Sequence, residues 1–327
     1  MSEPAPASTT STRPGGPPSM GAGPRRLLRR PSLDSMGLTP GKKTRLKRLL
    51  YDYGPGGGTL LVLPIDQGLE HGPADFFVNP EALDPDYQFR LALEGNFSAI
   101  ALHVGLARKY FHQYAGEVPL ILKLNGKTNV PSDAQSFSAL TGTVEDAIRL
   151  GADAVGYTVY VGSPAQDRDF AQLAGVRADA DRLGMPLVVW AYPRGEAIAK
   201  KGGRDSLYAI DYAARVALEL GADVVKVNYP VASEKDKESP PPYNTLNLSP
   251  EGAFSRVVQS AGRALVLVSG GEKIGDTELL AKVRASMDAG ATGIIFGRNL
   301  WQRPFDDALA ITRKIHALFA EYAQPLH

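Results

Sequence analysis

The chain has 327 residues and no cysteine, so disulfides, iron–sulfur clusters, thiolate zinc sites and cysteine nucleophiles fall away together. At 43% hydrophobic and 22% charged it has a globular composition, and no apolar run approaches the ~18 residues of a membrane span. The net charge of +1 is a cancellation: residues 1–50 hold ten Lys/Arg against two acids, and the rest holds 26 basic against 33 acidic residues. An acidic body of that kind is a poor match for nucleic acid.

Residues 1–41 are rich in Pro, Ser, Thr and Gly and poor in large apolar residues. Such a segment buries too little surface to offset its ordering entropy, so a disordered basic tail is expected, with the folded domain spanning 42–327. Arg25, Arg26, Arg29 and Arg30 flank Leu27 and Leu28. They read as a solvated basic tail, with a partner-docking arm, an organelle transit peptide or a kinase site at Ser32 as alternatives. No 7–15-residue apolar stretch of the kind found in secretory signals is present. A reducing, cytoplasmic location is expected.

From residue 59 one pattern repeats: a short apolar run, a Gly/Pro/Asp-rich turn, then an amphipathic stretch. The runs are 60–66, 99–104, 120–125, 154–160, 187–192, 224–229, 264–269 and 293–298. Continuous rather than alternating apolar runs suit strands buried on both faces of a parallel sheet. Helices are expected at 144–150, 170–183, 207–220, 250–261, 277–289 and 305–322. Gly151, Gly221 and Gly290 each close a helix just before a strand, where a left-handed C-cap favours glycine. Eight such units in about 270 residues predict a single (β/α)8 barrel. An open doubly wound sheet is disfavoured, because Gly56-Gly57-Gly58 precedes the first strand and cannot cradle a pyrophosphate after it.

In a barrel of this type chemistry gathers at the C-terminal ends of the strands. Here those ends are polar. Asp66 shares a face with Val62, Trp190 shares one with Tyr192, and Lys226 shares one with Asn228. Lys226 lies inside the apolar run Val-Val-Lys-Val. It has two readings: a lysine salt-bridged inside the barrel or snorkelling outward, or an imine-forming lysine whose burial frees the neutral amine. Tyr192 and Asp66 are inward-facing proton-transfer candidates for the second reading. Ser269-Gly270-Gly271 and Gly297-Arg298 follow the seventh and eighth runs, the usual place for a phosphate site in this fold. His71 is a substrate contact or a turn cap. Five scattered histidines with no metal-binding spacing predict neither a catalytic metal nor any other cofactor.

Taken jointly, several segments resemble the archaeal-type class I fructose-bisphosphate aldolase family. They are Ile65–Pro73 (IDQGLEHGP), Leu122–Asn125, Gly156–Ser163, Val189–Gly195 (VWAYPRG), Val225–Val227, Val268–Gly271 and Phe296–Asn299, in order along the body. The resemblance implies a metal-free barrel using a Schiff base. It implies Lys226 as the imine lysine, Tyr192 as proton donor and acceptor, Asp66 as the acid/base carboxylate and Trp190 as a pocket wall. Ser269, Gly270, Gly271, Gly297 and Arg298 would hold the phosphate at the ketone end, with Lys123, His71 and Arg194 as candidates for the second phosphate. The substrate would be a phosphorylated sugar, without nucleic-acid or membrane partners, and a homo-oligomer such as a decamer is expected. Relatives sharing the lysine make an aminodideoxyheptulosonate or act as thiolases on a phosphorylated signal molecule. A non-catalytic scaffold is the remote alternative. The loop 231–250, rich in charge and proline, is expected to be a mobile lid.

Overall fold

The structure, a computed structural model, describes residues 30–271 and 273–326. Eight parallel strands close into a barrel: β1 (Leu60–Pro64), β2 (Ala99–His103), β3 (Leu120–Lys123), β4 (Ala154–Val161), β5 (Leu187–Pro193), β6 (Val224–Val227), β7 (Leu265–Ser269) and β8 (Gly293–Ile295). Each strand pairs with its neighbours in sequence, and β1 closes the ring on β8 through Leu60↔Gly293, Leu61↔Ile294 and Val62↔Ile295. The expected (β/α)8 barrel is thus present, and the expected runs find their strands in order.

Strand alternation divides the apolar residues into two cores. Leu61, Leu63, Val155, Val189, Val225 and Val268 point outward against the helices. Val62, Ala101, Ile121, Val188, Trp190, Val224 and Leu267 fill the interior. That double burial is why the runs are continuous rather than alternating. Helices Gln166–Leu183, Leu207–Glu219, Pro250–Ser260, Asp276–Asp288 and Phe305–Ala320 lie close to their expected places. Helices Pro85–Glu94 and Val104–Tyr110 complete the outer ring and had not been marked from periodicity. Gly151, Gly221 and Gly290 take φ of 68°, 97° and 98°, the left-handed geometry their positions called for. No described helix is long and apolar enough to cross a membrane.

The N-terminal mouth of the barrel is plugged by the segment before β1. Thr39 caps the helix Pro40–Lys47, and a wider helical turn, Arg48–Asp52, continues it. Leu33, Leu46, Leu49 and Leu50 are all buried in the interior core with Leu60, Val188 and Leu265. Packing therefore begins ahead of the expected boundary at residue 41. Arg30 is buried and donates to the Tyr322 carbonyl at 2.8 Å, and Arg263 holds the Ser35 carbonyl at 3.1 Å. Three apolar residues, Leu33, Met36 and Leu38, attach this stretch, too few to register in a composition reading. Residues 1–29, with Arg25, Arg26 and Arg29, lie outside the described residues.

Candidate active site

Towards the C-terminal mouth the interior changes character. Above the leucine plug and the Trp190 layer, the inward positions become Lys123, Tyr192, Lys226 and, just past β1, Asp66. Gly156 on β4 makes the room: a Cβ there would lie 2.7 Å from the Trp190 ring and 3.2 Å from Lys123 Cδ. Over these residues opens a cavity of about 620 Å³ lined by Asp66, Tyr160, Tyr192, Lys226, Ser269 and Arg298 among others.

Lys226 sits on the inner face of β6, in register with Trp190 of β5 and Leu267 of β7. Its Nζ hydrogen-bonds the Tyr192 hydroxyl and lies 5.4 Å from the centre of the Trp190 ring. No carboxylate of the described residues reaches it at ion-pair distance. Burial pushes the ammonium down to about 8, aided by the positive charges of Lys123 and Arg194 and opposed by Asp66 and Glu70. Burial also holds the Tyr192 phenol well above its usual value, so it stays protonated beside the amine.

Lys123 closes β3 and is fully buried. Its ammonium contacts Glu70 Oε1 at 2.8 Å and Asp66 Oδ2 at 3.2 Å and lies 4.7 Å from the Trp190 ring centre. Burial works against its charge, but the two carboxylates outweigh burial and raise it above the ordinary lysine value. Asp66 is held below the usual carboxylate range: burial opposes ionisation, and Lys123 and Lys226 together overcome it. It is therefore an ionised group.

Across the cavity the turn after β7 forms a wall. Ser269 Oγ donates to Asn228 Oδ1 at 2.5 Å, Lys282 Nζ to the Gly270 carbonyl at 3.0 Å, and Arg298 Nη2 to the Gly271 carbonyl at 3.1 Å. Gly271 has a φ of 71°, which a larger residue adopts only with strain. Gly297 caps the short helix Arg298–Trp301 and also lines the cavity. At the rim, Asp75 joins His71 at 2.8 Å and approaches Arg298 at 4.0 Å. Opposite, Asp133 gathers three cations: Lys127 at 2.9 Å, Arg194 at 3.4 Å and Arg204 at 3.9 Å.

The structure brings Lys226, Tyr192 and Asp66 to one end of the barrel and sets Ser269, Gly270, Gly271, Gly297 and Arg298 together on one wall. His71 and Arg194 line the same cavity. Two of the expected site residues stand back from the open space. Lys123 was a candidate for a phosphate, yet it is fully buried, does not line the cavity, and has its charge answered by Asp66 and Glu70. Trp190 is fully buried too, and touches the lysines rather than the open space. In the loop after β6, Tyr243 donates to Asp211 at 2.5 Å, and Arg256 of the following helix holds the same oxygen at 3.0 Å. Glu70 lies in the segment Ile65–Pro73 but was given no role from the sequence, and Lys282, on a helix remote from any strand end, carried no signal there.

Residues 60–303 match the DeoC/LacD family of aldolases, and the chain belongs to that family. Within it, the chain is 41% identical over 274 residues to the class 1 fructose-bisphosphate aldolase of Thermoproteus tenax, covering 83% of this chain and 94% of that protein. It is 34% identical over 285 residues to a 2-amino-3,7-dideoxy-D-threo-hept-6-ulosonate synthase of Halobacterium salinarum, covering 87% and 94%. Among solved structures, an archaeal fructose-1,6-bisphosphate aldolase, with its catalytic lysine covalently bound to the carbinolamine intermediate of the substrate, is 39% identical. It superposes with a TM-score of 0.71, covering 84% of this chain and 98% of that one.

Proposed function

We propose that this chain is a Schiff-base fructose-1,6-bisphosphate aldolase that reversibly cleaves its substrate to dihydroxyacetone phosphate and glyceraldehyde 3-phosphate. The observation that carries the reading is Lys226: a buried amine, with no carboxylate partner among the described residues and bonded to a protonated tyrosine, at the foot of a cavity with a Gly-Gly/Arg wall. With its ammonium near 8, about a tenth of the amine is neutral at pH 7, against well under a thousandth at the ordinary lysine value.

Neutral Lys226 adds to the C2 carbonyl of the open-chain sugar, and loss of water leaves an iminium. The positive nitrogen draws electrons from the C3–C4 bond as the C4 hydroxyl loses its proton, so glyceraldehyde 3-phosphate departs and an enamine remains. Protonation at C3 and addition of water release dihydroxyacetone phosphate and restore the amine. Tyr192, protonated and in contact with Nζ, gives its proton to the departing carbinolamine hydroxyl, takes the C4 hydroxyl proton as the phenolate and returns that proton to C3 of the enamine. Asp66, ionised, stabilises the cationic intermediates. Trp190 packs behind the amine and keeps that side of it dry.

Borohydride reduction in the presence of fructose 1,6-bisphosphate, followed by peptide mass spectrometry, tests this reading; an adduct at Lys226 is expected, and its absence overturns the imine assignment. The synthase relative favours a second reading, aminodideoxyheptulosonate formation through the same lysine. Cleavage of the bisphosphate measured with purified protein separates the two. A homo-oligomer belongs to the proposal as well. Phe77, Val78 and Leu83, close together on the segment after β1, are 82%, 59% and 65% exposed, apolar surface that one chain leaves in water. Light scattering that returns a monomer mass would remove that part. A cytoplasmic location accompanies the reading.

A further inference from the structure

Helix Asp276–Asp288 carries a lysine that turns back toward the barrel. Lys282 lines the cavity although it stands on a helix behind the wall rather than at a strand end. Its Nζ donates to the Gly270 carbonyl, and a Cβ on Gly271 would lie 3.7 Å from it. One neutral carbonyl takes one of the three ammonium donors and leaves its charge unanswered. None of the described carboxylates comes within ion-pair distance; Glu278, one helical turn back, acts only through space. Burial lowers the ammonium below the ordinary lysine value.

Arg298 reaches the same turn from the end of β8 and bonds the next carbonyl, that of Gly271. Its nearest acid, Asp75, is 4.0 Å away and is shared with His71. Two cations from separate elements therefore converge on the Gly270 and Gly271 carbonyls, and among the described residues these neutral oxygens are their hydrogen-bond partners at the turn. Both cations line the cavity, where an anionic group on a bound molecule would meet two positive charges at once.

We propose that Lys282 is a phosphate-binding residue, which with Arg298 grips the phosphate at the ketone end of the sugar and so sets the C2 carbonyl over Lys226. The proposal rests on the Schiff-base reading for the identity of the sugar but not for the anion site itself. Lysine is suited to the part as a compact charge with rotatable donors, beside an arginine that supplies the planar fork.

The test is imine trapping at Lys226 with dihydroxyacetone phosphate and with unphosphorylated dihydroxyacetone, in wild type, Lys282→Met, Lys282→Gln and Lys282→Arg, together with inorganic phosphate binding measured by calorimetry. The wild-type preference for the phosphorylated ketone should fall roughly 10- to 100-fold in the Met and Gln variants, the worth of one charge-assisted contact, and phosphate affinity should fall with it. The Arg variant should recover most of both. Met and Gln variants that keep the wild-type preference and phosphate affinity overturn the proposal. So does a loss that strikes both ketones equally while phosphate binding is unchanged, because that is a structural role for the bond to Gly270. If wild type traps neither ketone, the aldolase reading fails on its own, and calorimetry with inorganic phosphate still decides the role of Lys282.

Discussion

Lys123 and Lys226 stand on the same inner face of one barrel, both buried and both against the Trp190 ring. Their surroundings send them opposite ways. Lys123 has Glu70 and Asp66 at hydrogen-bond distance and is raised; Lys226 has a phenol there and is lowered to about 8. Burial alone pushes either ammonium down, and close carboxylates reverse the sign. A lysine inside an apolar strand is thus a reactive amine only when the neighbouring strands withhold an acid from it. The pair is also connected: the charge of Lys123 helps keep Asp66 ionised and helps keep Lys226 neutral.

The largest expected effect separates the two directly. Lys226→Met should lower kcat by about 10⁴-fold or more, because Nζ of Lys226 is the atom that bonds the substrate carbon and methionine carries no amine. Its stability should change by no more than about 1 kcal/mol, since a buried cation without a carboxylate partner is being exchanged for an apolar side chain of similar shape. Lys123→Met should do the reverse in stability. It strands Asp66 and Glu70 beside each other without their shared cation, at a cost of about 3–5 kcal/mol. Chemical denaturation of the two variants checks the contrast, and equal midpoints would erase it.

This contrast also marks where the sequence stops being readable. Eight continuous apolar runs are enough for a barrel, because double burial writes itself into consecutive positions, and Gly151, Gly221 and Gly290 punctuate it through a backbone requirement local to each. Lys226 in Val-Val-Lys-Val and Lys123 in Leu-Ile-Leu-Lys are alike by every local measure. What distinguishes them is which acids the segment after β1 delivers, Asp66 and Glu70 pairing with Lys123 and not with Lys226, a long-range fact that the local sequence does not carry. Lys282 was hidden for a related reason: its distance from the turn it touches is 12 residues, across a helix whose facing was not fixed by a sparse hydrophobic pattern. Leu33 was lost because its partners, Leu46 to Leu50, come from a different element of the plug.

Tyr192→Phe removes the proton carrier but leaves the amine. A fall in kcat of roughly 10²- to 10⁴-fold is expected, with borohydride trapping at Lys226 still detectable. If the variant turns over at the wild-type rate, another group carries the proton, and Tyr192 only positions Nζ.

The smallest effect tests the electrostatics of the comparison itself. Imine formation needs the neutral amine, and the folded value of Lys226 is depressed, so the trapping rate with dihydroxyacetone phosphate should rise with pH, reach its midpoint near 8 and then level. His103, half-buried and in register with Lys123, is held below its ordinary value by desolvation and by that lysine, so it does not titrate in this window. Glu70 raises the Lys226 ammonium and Arg194 lowers it. Glu70→Gln should therefore move the midpoint to lower pH, and Arg194→Met should move it to higher pH. Shifts in these opposite directions identify the midpoint with Lys226, because the two charges act on its amine with opposite sign. A midpoint that stays near the free lysine value in wild type, or that moves the same way in both variants, would mean that the barrel does not tune Lys226 through burial and these neighbours.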